Sequence, residues 1–171
     1  MGLFPNSGNM GQTRLPFAHP MKLDHRTARR ARKETRMEPL IWSESLSIGV
    51  KEIDKDHQHL IGLLNILIWS IEQKKEKSEV EEALGGLLSY TSWHFRHEER
   101  LMQTFDYGKF QKHKDEHMGL IDQAVALREA FATRGEEITP EIIEFLKSWL
   151  SHHILGTDME MGHFLSAVIS R

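Results

Sequence analysis

From Ile53 onward the apolar residues of this chain recur three or four positions apart, with no strand-like alternation, so the sequence is constrained to helices. Ile53, Leu60, Leu64, Ile68 and Ile71 form one stripe. A second runs through Val80, Leu84, Leu87, Thr91, Phe95, Leu101 and Phe105. Ahead of it, Ser78-Glu79-Val80-Glu81 reads as a capping box, in which Ser78 and Glu81 satisfy each other's free backbone N–H groups. Gly108 then breaks the chain. The third stripe is Phe110, Leu120, Ala124, Leu127 and Phe131, and it ends at Gly135. The fourth opens on Thr139 as cap and Pro140 in the first turn, and buries Ile142, Leu146, Trp149 and Leu150. The pattern predicts an all-α fold, an up-down-up-down four-helix bundle with an N-terminal extension.

Composition and charge set the remaining bounds. With 171 residues, 39% of them hydrophobic and 27% charged, the chain is expected to form one soluble globular domain. The longest apolar run, Leu60 to Ile71, is interrupted by Gly62, Asn65 and Ser70, well short of the roughly 18 to 20 apolar residues of a membrane span. Cysteine is absent, which excludes disulfides, thiolate nucleophiles, Cys-based zinc sites and cysteine-ligated iron–sulfur clusters. A cytoplasmic location is expected. Residues 1–37 hold eight Lys/Arg against Asp24 and Glu34, a net of +6, which leaves 14 against 23, a net of −9, for residues 38–171. The boundary near Met37 therefore separates a basic, flexible extension from an acidic bundle. Its basic cluster, Arg29, Arg30, Arg32, Lys33 and Arg36, is read as a solvated tail rather than a nucleic-acid or acidic-lipid contact. No apolar face is evident outside the core, and the oligomeric state stays open.

Eleven of the residues are histidine, and their placement carries the functional reading. Polar residues interrupt the stripes where a core should be apolar. His57 lies between Ile53 and Leu60; His94 and Glu98 continue the series Leu87, Thr91, Leu101; His113 and His117 lie between Phe110 and Leu120; His153 follows Leu146 and Trp149. All four helices thus aim histidine at one axis. An unpaired buried polar group costs about 1–3 kcal/mol, so five imidazoles and a carboxylate would consume much of a stability of roughly 5–15 kcal/mol. Metal ions resolve the conflict, because each imidazole gives one nitrogen to the ion and the other to an outer acceptor. Residues four apart differ by only about 40° around a helix, so His94 with Glu98 and His113 with His117 can each reach one cluster. His153 and Asp158 are five apart, about 140°, and both face inward only if the helix ends or distorts between them, for which Gly156 and Thr157 are suitable. Five histidines and two carboxylates exceed what one ion needs. Two ions bridged by the carboxylates use all seven.

These residues resemble a hemerythrin of the bacterial kind. The resemblance rests on His57 in EIDKDHQHLI, His94 and Glu98 in HFRHEERLM, His113 and His117 in HKDEH, and His153 and Asp158 in WLSHHILGTD, with Trp42 and SLSIGVKEID fitting the lead-in. It implies a non-haem centre of two iron ions that binds dioxygen reversibly, without enzymatic turnover. By that resemblance His57 and His94 hold the iron with an open position, and His113, His117 and His153 the saturated one. Glu98, Asp158 and a hydroxide bridge them, and Leu60, Phe95, Trp149 and Leu150 line an oxygen pocket. The chain departs from the family at Gly108, where proline is usual after Tyr107 and whose presence is expected to loosen the turn, and at Met161, where a tyrosine is common.

Two other functions compete with oxygen binding. A ferritin-like di-iron oxidase or peroxidase needs two Glu-x-x-His motifs plus two further Glu, whereas this chain has only Glu160-x-x-His163. An oxygen, nitric oxide or redox sensor would need a partner, and nothing here resembles a fused signalling domain. His59, His97, His152 and His163 are assigned solvated or supporting roles, and His19 and His25 fall in the extension.

Overall fold

The structure, a computed structural model, describes residues 37–135 and 137–169. The expected extension, apart from Met37, lies outside the described residues, as do its arginines. A single 3-10 turn at Glu44–Leu46 leads into α1 (Lys51–Glu72), followed by α2 (Lys77–Thr104), α3 (Phe110–Arg134) and α4 (Pro140–His153). A π-turn at Ile154–Asp158 continues α4 into α5 (Met159–Ile169). The described residues contain no strand, and the helices form the expected four-helix bundle with α4 and α5 sharing the fourth position. No helix among them is long and apolar enough to cross a membrane.

The core forms where the stripes meet. Ile53, Leu60, Leu64 and Ile68 of α1 are buried together with Ile61 and Leu67, and they join Leu84 and Leu87 of α2 and Leu146 and Leu150 of α4 in one cluster. Met102, rather than Leu101, is the fully buried residue at the end of α2. It lies four after Glu98, one turn along the same face, while Leu101 sits on the flank. Ile143 displaces Ile142 from the centre in the same way.

Polar interruptions in the first stripe secure the lead-in segment. The Asn65 side chain accepts from Leu40 N–H at 2.9 Å and donates to the Leu40 carbonyl at 2.8 Å. At the start of α1, Asp54 accepts from Ser47 Oγ at 2.7 Å and from Ile48 N–H at 2.8 Å. Ile48 is thereby held against Gly162 of α5, where a Cβ would fall 2.7 Å from Ile48 Cβ and closer still to its carbonyl oxygen.

The helix ends differ from expectation in three places. The capping box of α2 runs between Glu76 and Glu79, not Ser78 and Glu81, with Glu76 N–H donating to Glu79 Oε2 at 3.1 Å. The left-handed residue before α3 is Asp106, at φ 53°, whereas Gly108 is not left-handed. The bend is thus made two residues upstream of the expected breaker, where Tyr107 N–H closes on the Met102 carbonyl at 2.8 Å. Thr139 does stand at the cap of α4 with Pro140 behind it, but its hydroxyl makes no capping bond. Gly135 ends α3 in the left-handed conformation, at φ 66°.

Candidate metal centre

The seven residues singled out in the sequence converge. His57 comes from α1, His94 and Glu98 from α2, His113 and His117 from α3, while His153 ends α4 and Asp158 ends the π-turn, all at 3% exposure or less. The π-turn is what admits the last pair. The Met159 N–H reaches back five residues to the Ile154 carbonyl, widening the turn so that residues five apart share a face.

The donor atoms fall into two overlapping groups. One contains His57, His94, Glu98 and Asp158; the other contains His113, His117, His153 and the same two carboxylates, with the atoms in each group within 4.8 Å of one another. Each carboxylate turns one oxygen to each set of histidines. Glu98 Oε1 lies 3.5 Å from His94 Nε2 and 3.8 Å from His57 Nε2, while its Oε2 lies 3.1 Å from His117 Nε2 and 3.6 Å from His113 Nε2. Asp158 Oδ2 lies 3.3 Å from His57 Nε2, and its Oδ1 lies 3.1 Å from His113 Nε2 and 3.0 Å from His153 Nε2.

These approaches do not satisfy the donors as hydrogen bonds. Both ring nitrogens of His57, His94 and His113 and both oxygens of Glu98 and Asp158 are buried with no hydrogen-bond partner among the described residues. At about 1–3 kcal/mol for each such atom, the cluster favours cations that would complete it. His117 Nε2 and His153 Nε2 stand 3.1 Å apart, a separation that requires a proton or a cation between them. The donor set, imidazole nitrogen with carboxylate oxygen and no thiolate, suits iron.

Electrostatics point the same way. Burial alone would lower the His57 and His113 imidazoles, but Asp158 and Glu98 more than reverse it and hold both up at about 9. Burial opposes protonation of His153 too, and Asp158 and Glu116 carry it up to about 10. Burial would raise Glu98, yet His94 and the imidazoles around it hold it well below the ordinary carboxylate range. Burial and Glu98 would both raise Asp158, and His153 and His113 bring it below that range as well. Four helices have brought opposite charges into a space that water does not reach.

A layer of outer carboxylates escaped the sequence reading. His153 Nδ1 donates to Glu116 Oε1 at 2.8 Å, and His117 Nδ1 donates to Glu99 Oε1 at 3.3 Å. Asp56 Oδ2 lies 3.6 Å from His94 Nδ1, accepts from His97 Nδ1 at 2.7 Å, and through Oδ1 accepts from Tyr90 Oη at 3.1 Å. Asp56, Glu99 and Glu116 each adjoin a cluster residue in sequence, which is the only signal they carried. His97 therefore supports the site through Asp56, while His59, His152 and His163 are exposed. Glu160 pairs with Lys109 at the surface.

Of the expected pocket residues, Phe95 is buried and stacks on His117 with ring centroids 3.8 Å apart and planes within 5°. Its ring also meets that of His153 edge-on at 5.2 Å. Leu60 and Leu150 are buried in the core, and Trp149 is half-buried with its ring 6.4 Å from Phe95. Met161 is fully buried.

Fold and cluster together define a metal-binding helical bundle with a buried site of histidine and carboxylate donors. Comparison with known proteins gives the family. The hemerythrin HHE cation binding domain matches residues 48–165. The chain is 34% identical over 132 residues to the bacteriohemerythrin of Stenotrophomonas maltophilia, covering 77% of this chain and 85% of that protein. It is 32% identical over 122 residues to that of Pseudomonas paraeruginosa, covering 71% and 78%. A crystal structure of wild-type hemerythrin superposes with a TM-score of 0.70 at 28% identity, covering 75% of this chain and 99% of the other. The chain belongs to the hemerythrin family.

Proposed function

We propose that this protein holds two iron ions and binds dioxygen reversibly, for carriage, storage or delivery. The observation that carries the reading is the orientation of Glu98 and Asp158, each with one oxygen toward His57 or its partner His94 and the other toward the second histidine set. In this reading His57 and His94 would hold one ion and His113, His117 and His153 the other, with Glu98 and Asp158 shared by both. Three histidines against two leaves the His57–His94 side with the open position for oxygen. When bound, the two ferrous ions supply the electrons for reversible oxygen binding.

The chain's own residues supply the setting. The imidazoles are neutral donors that favour ferrous iron, and the two carboxylates offset its charge. In this reading Leu60, Phe95, Trp149 and Leu150 line the oxygen pocket, with Phe95 stacked on His117, and their apolar surface would exclude the water and protons that would otherwise discharge the bound ligand. A non-enzymatic role is supported by the surface position of Glu160 and His163, which leaves the cluster without the extra carboxylates of oxidase sites. The basic segment 1–37 is proposed as an extension that the site does not need, in a cytoplasmic protein.

Metal analysis and an oxygen-dependent spectrum test the reading. Two irons per chain are expected, with a visible band that appears in air and disappears under vacuum. One tightly bound zinc, or irreversible oxidation with no such band, overturns it.

A further inference from the structure

We propose that Glu116 is a positioning residue that clamps the π-turn in register for the metal centre, an inference that rests on the seven-ligand reading above. Glu116 belongs to α3 and is itself no part of the cluster. Its Oε1 accepts from His153 Nδ1 at 2.8 Å, and its Oε2 accepts from Thr157 Oγ1 at 2.5 Å. His153 immediately precedes the π-turn and Thr157 immediately precedes Asp158. One carboxylate therefore grips both ends of the segment that must be distorted for His153 and Asp158 to face the same way.

The geometry has two consequences. With Nδ1 committed to Glu116, His153 must present Nε2 inward, where it stands 3.0 Å from Asp158 Oδ1. Because Glu116 precedes His117 in α3, the same contact ties the register of α3 to that of the π-turn and so links three cluster residues from two helices. The turn needs such a tie. A π-turn is rare, and this one includes Gly156, whose lack of a side chain adds backbone freedom at the same spot. The other outer contacts are longer, at 3.3 Å for Glu99 with His117 and 3.6 Å for Asp56 with His94. His57 and His113 have no such partner among the described residues.

The test uses the full chain, freed of metal, as wild type, Glu116→Ala, Glu116→Gln and Thr157→Val. Each is titrated with Co(II) alone, followed by its visible spectrum, with circular dichroism recording helix content. Wild type is expected to take two Co(II). Glu116→Ala is expected to keep its helices, to bind one of the two ions more weakly by on the order of 10- to 100-fold, and to show an altered Co(II) spectrum. Glu116→Gln can still accept from His153 through its amide oxygen and should recover most of that affinity. Thr157→Val, which removes one of the two contacts, should lie between.

Proton NMR of the Co(II)-loaded chain gives a second readout. The His153 Nδ1–H signal should survive in Glu116→Gln and be lost to solvent exchange in Glu116→Ala. Wild-type affinity and spectrum in Glu116→Ala would overturn the proposal. If that variant does not fold, wild-type behaviour of Thr157→Val overturns it instead. Uptake of fewer than two Co(II) by wild type would mark the failure of the two-ion reading itself, before any variant is compared.

Discussion

His153 Nε2 lies 3.0 Å from Asp158 Oδ1 although the two residues are five apart, about 140° around a regular helix. The intervening π-turn brings them to one side and gives Asp158 contact with His57, His113 and His153 at once. Asp158→Ala is therefore expected to lower iron from two per chain to one or none and to abolish the oxygen-dependent band. Metal analysis of the purified variant checks it, and undiminished loading would remove Asp158 from the bridging role.

Protons and metal compete for the same nitrogens, which fixes the sign of the pH dependence. In the metal-free chain His57 and His113 are raised from 6.5 to about 9 and His153 to about 10. Their contribution to stability is fully present below about 6.5 and is lost as pH rises through 9 to 10. The metal-free melting temperature should fall across that range. Metal affinity should rise across it, since fewer protons must be displaced. Thermal melts with chelator and Co(II) titrations at several pH values check both slopes, and parallel rather than opposite trends would contradict the competition.

Phe95 covers His117 with a stacked ring and also borders the surface cleft formed by Ser92, Arg96, Glu99 and Met118. Phe95→Leu keeps the position apolar but thins that cover. It should cost about 0.5–3 kcal/mol of stability and shorten the life of the oxygenated form, as water gains access. The decay of the visible band in air measures this. An unchanged lifetime would mean that Phe95 is core packing alone.

Gly162 has no room for a side chain. A methyl group there would sit 2.7 Å from Ile48 Cβ and closer still to the Ile48 carbonyl, so backbone must move. Gly162→Ala should destabilise by about 1–3 kcal/mol, and thermal denaturation would show it.

Met37 is buried, and its N–H donates to Glu72 Oε1 at 3.0 Å. A chain shortened to begin at Met37 keeps a nitrogen donor beside that carboxylate. Its iron loading and oxygen affinity should match those of the full chain. A loss of either would assign the first 36 residues a part in the site.

Much of the architecture was legible because burial leaves a periodic trace. Each helix shows its inward face as apolar residues three and four apart, and a polar residue on that face, such as His57 or Glu98, stands out against them. Asp56, Glu99 and Glu116 left no such trace. They lie one step off the buried stripe, where a carboxylate looks like any solvated charge, and only the neighbouring helix turns it into a partner for a histidine. Helix ends leave a weaker trace for a related reason. Ser78 and Gly108 are good local candidates, yet the backbone course between packed helices selected Glu76 with Glu79 and the left-handed Asp106 instead.

The sequence by itself determined the helical period, the four inward faces and which seven histidines and carboxylates meet in the buried cluster, since these depend on spacing along single helices. Tertiary structure decided how the donors divide. Glu98 and Asp158 each present an oxygen to two histidine sets only because four helices fix the carboxylate planes between them, with the π-turn supplying the last rotation. The partners that aim the imidazoles were decided there as well, because a contact between α3 and the turn after α4 has no period along the chain to announce it.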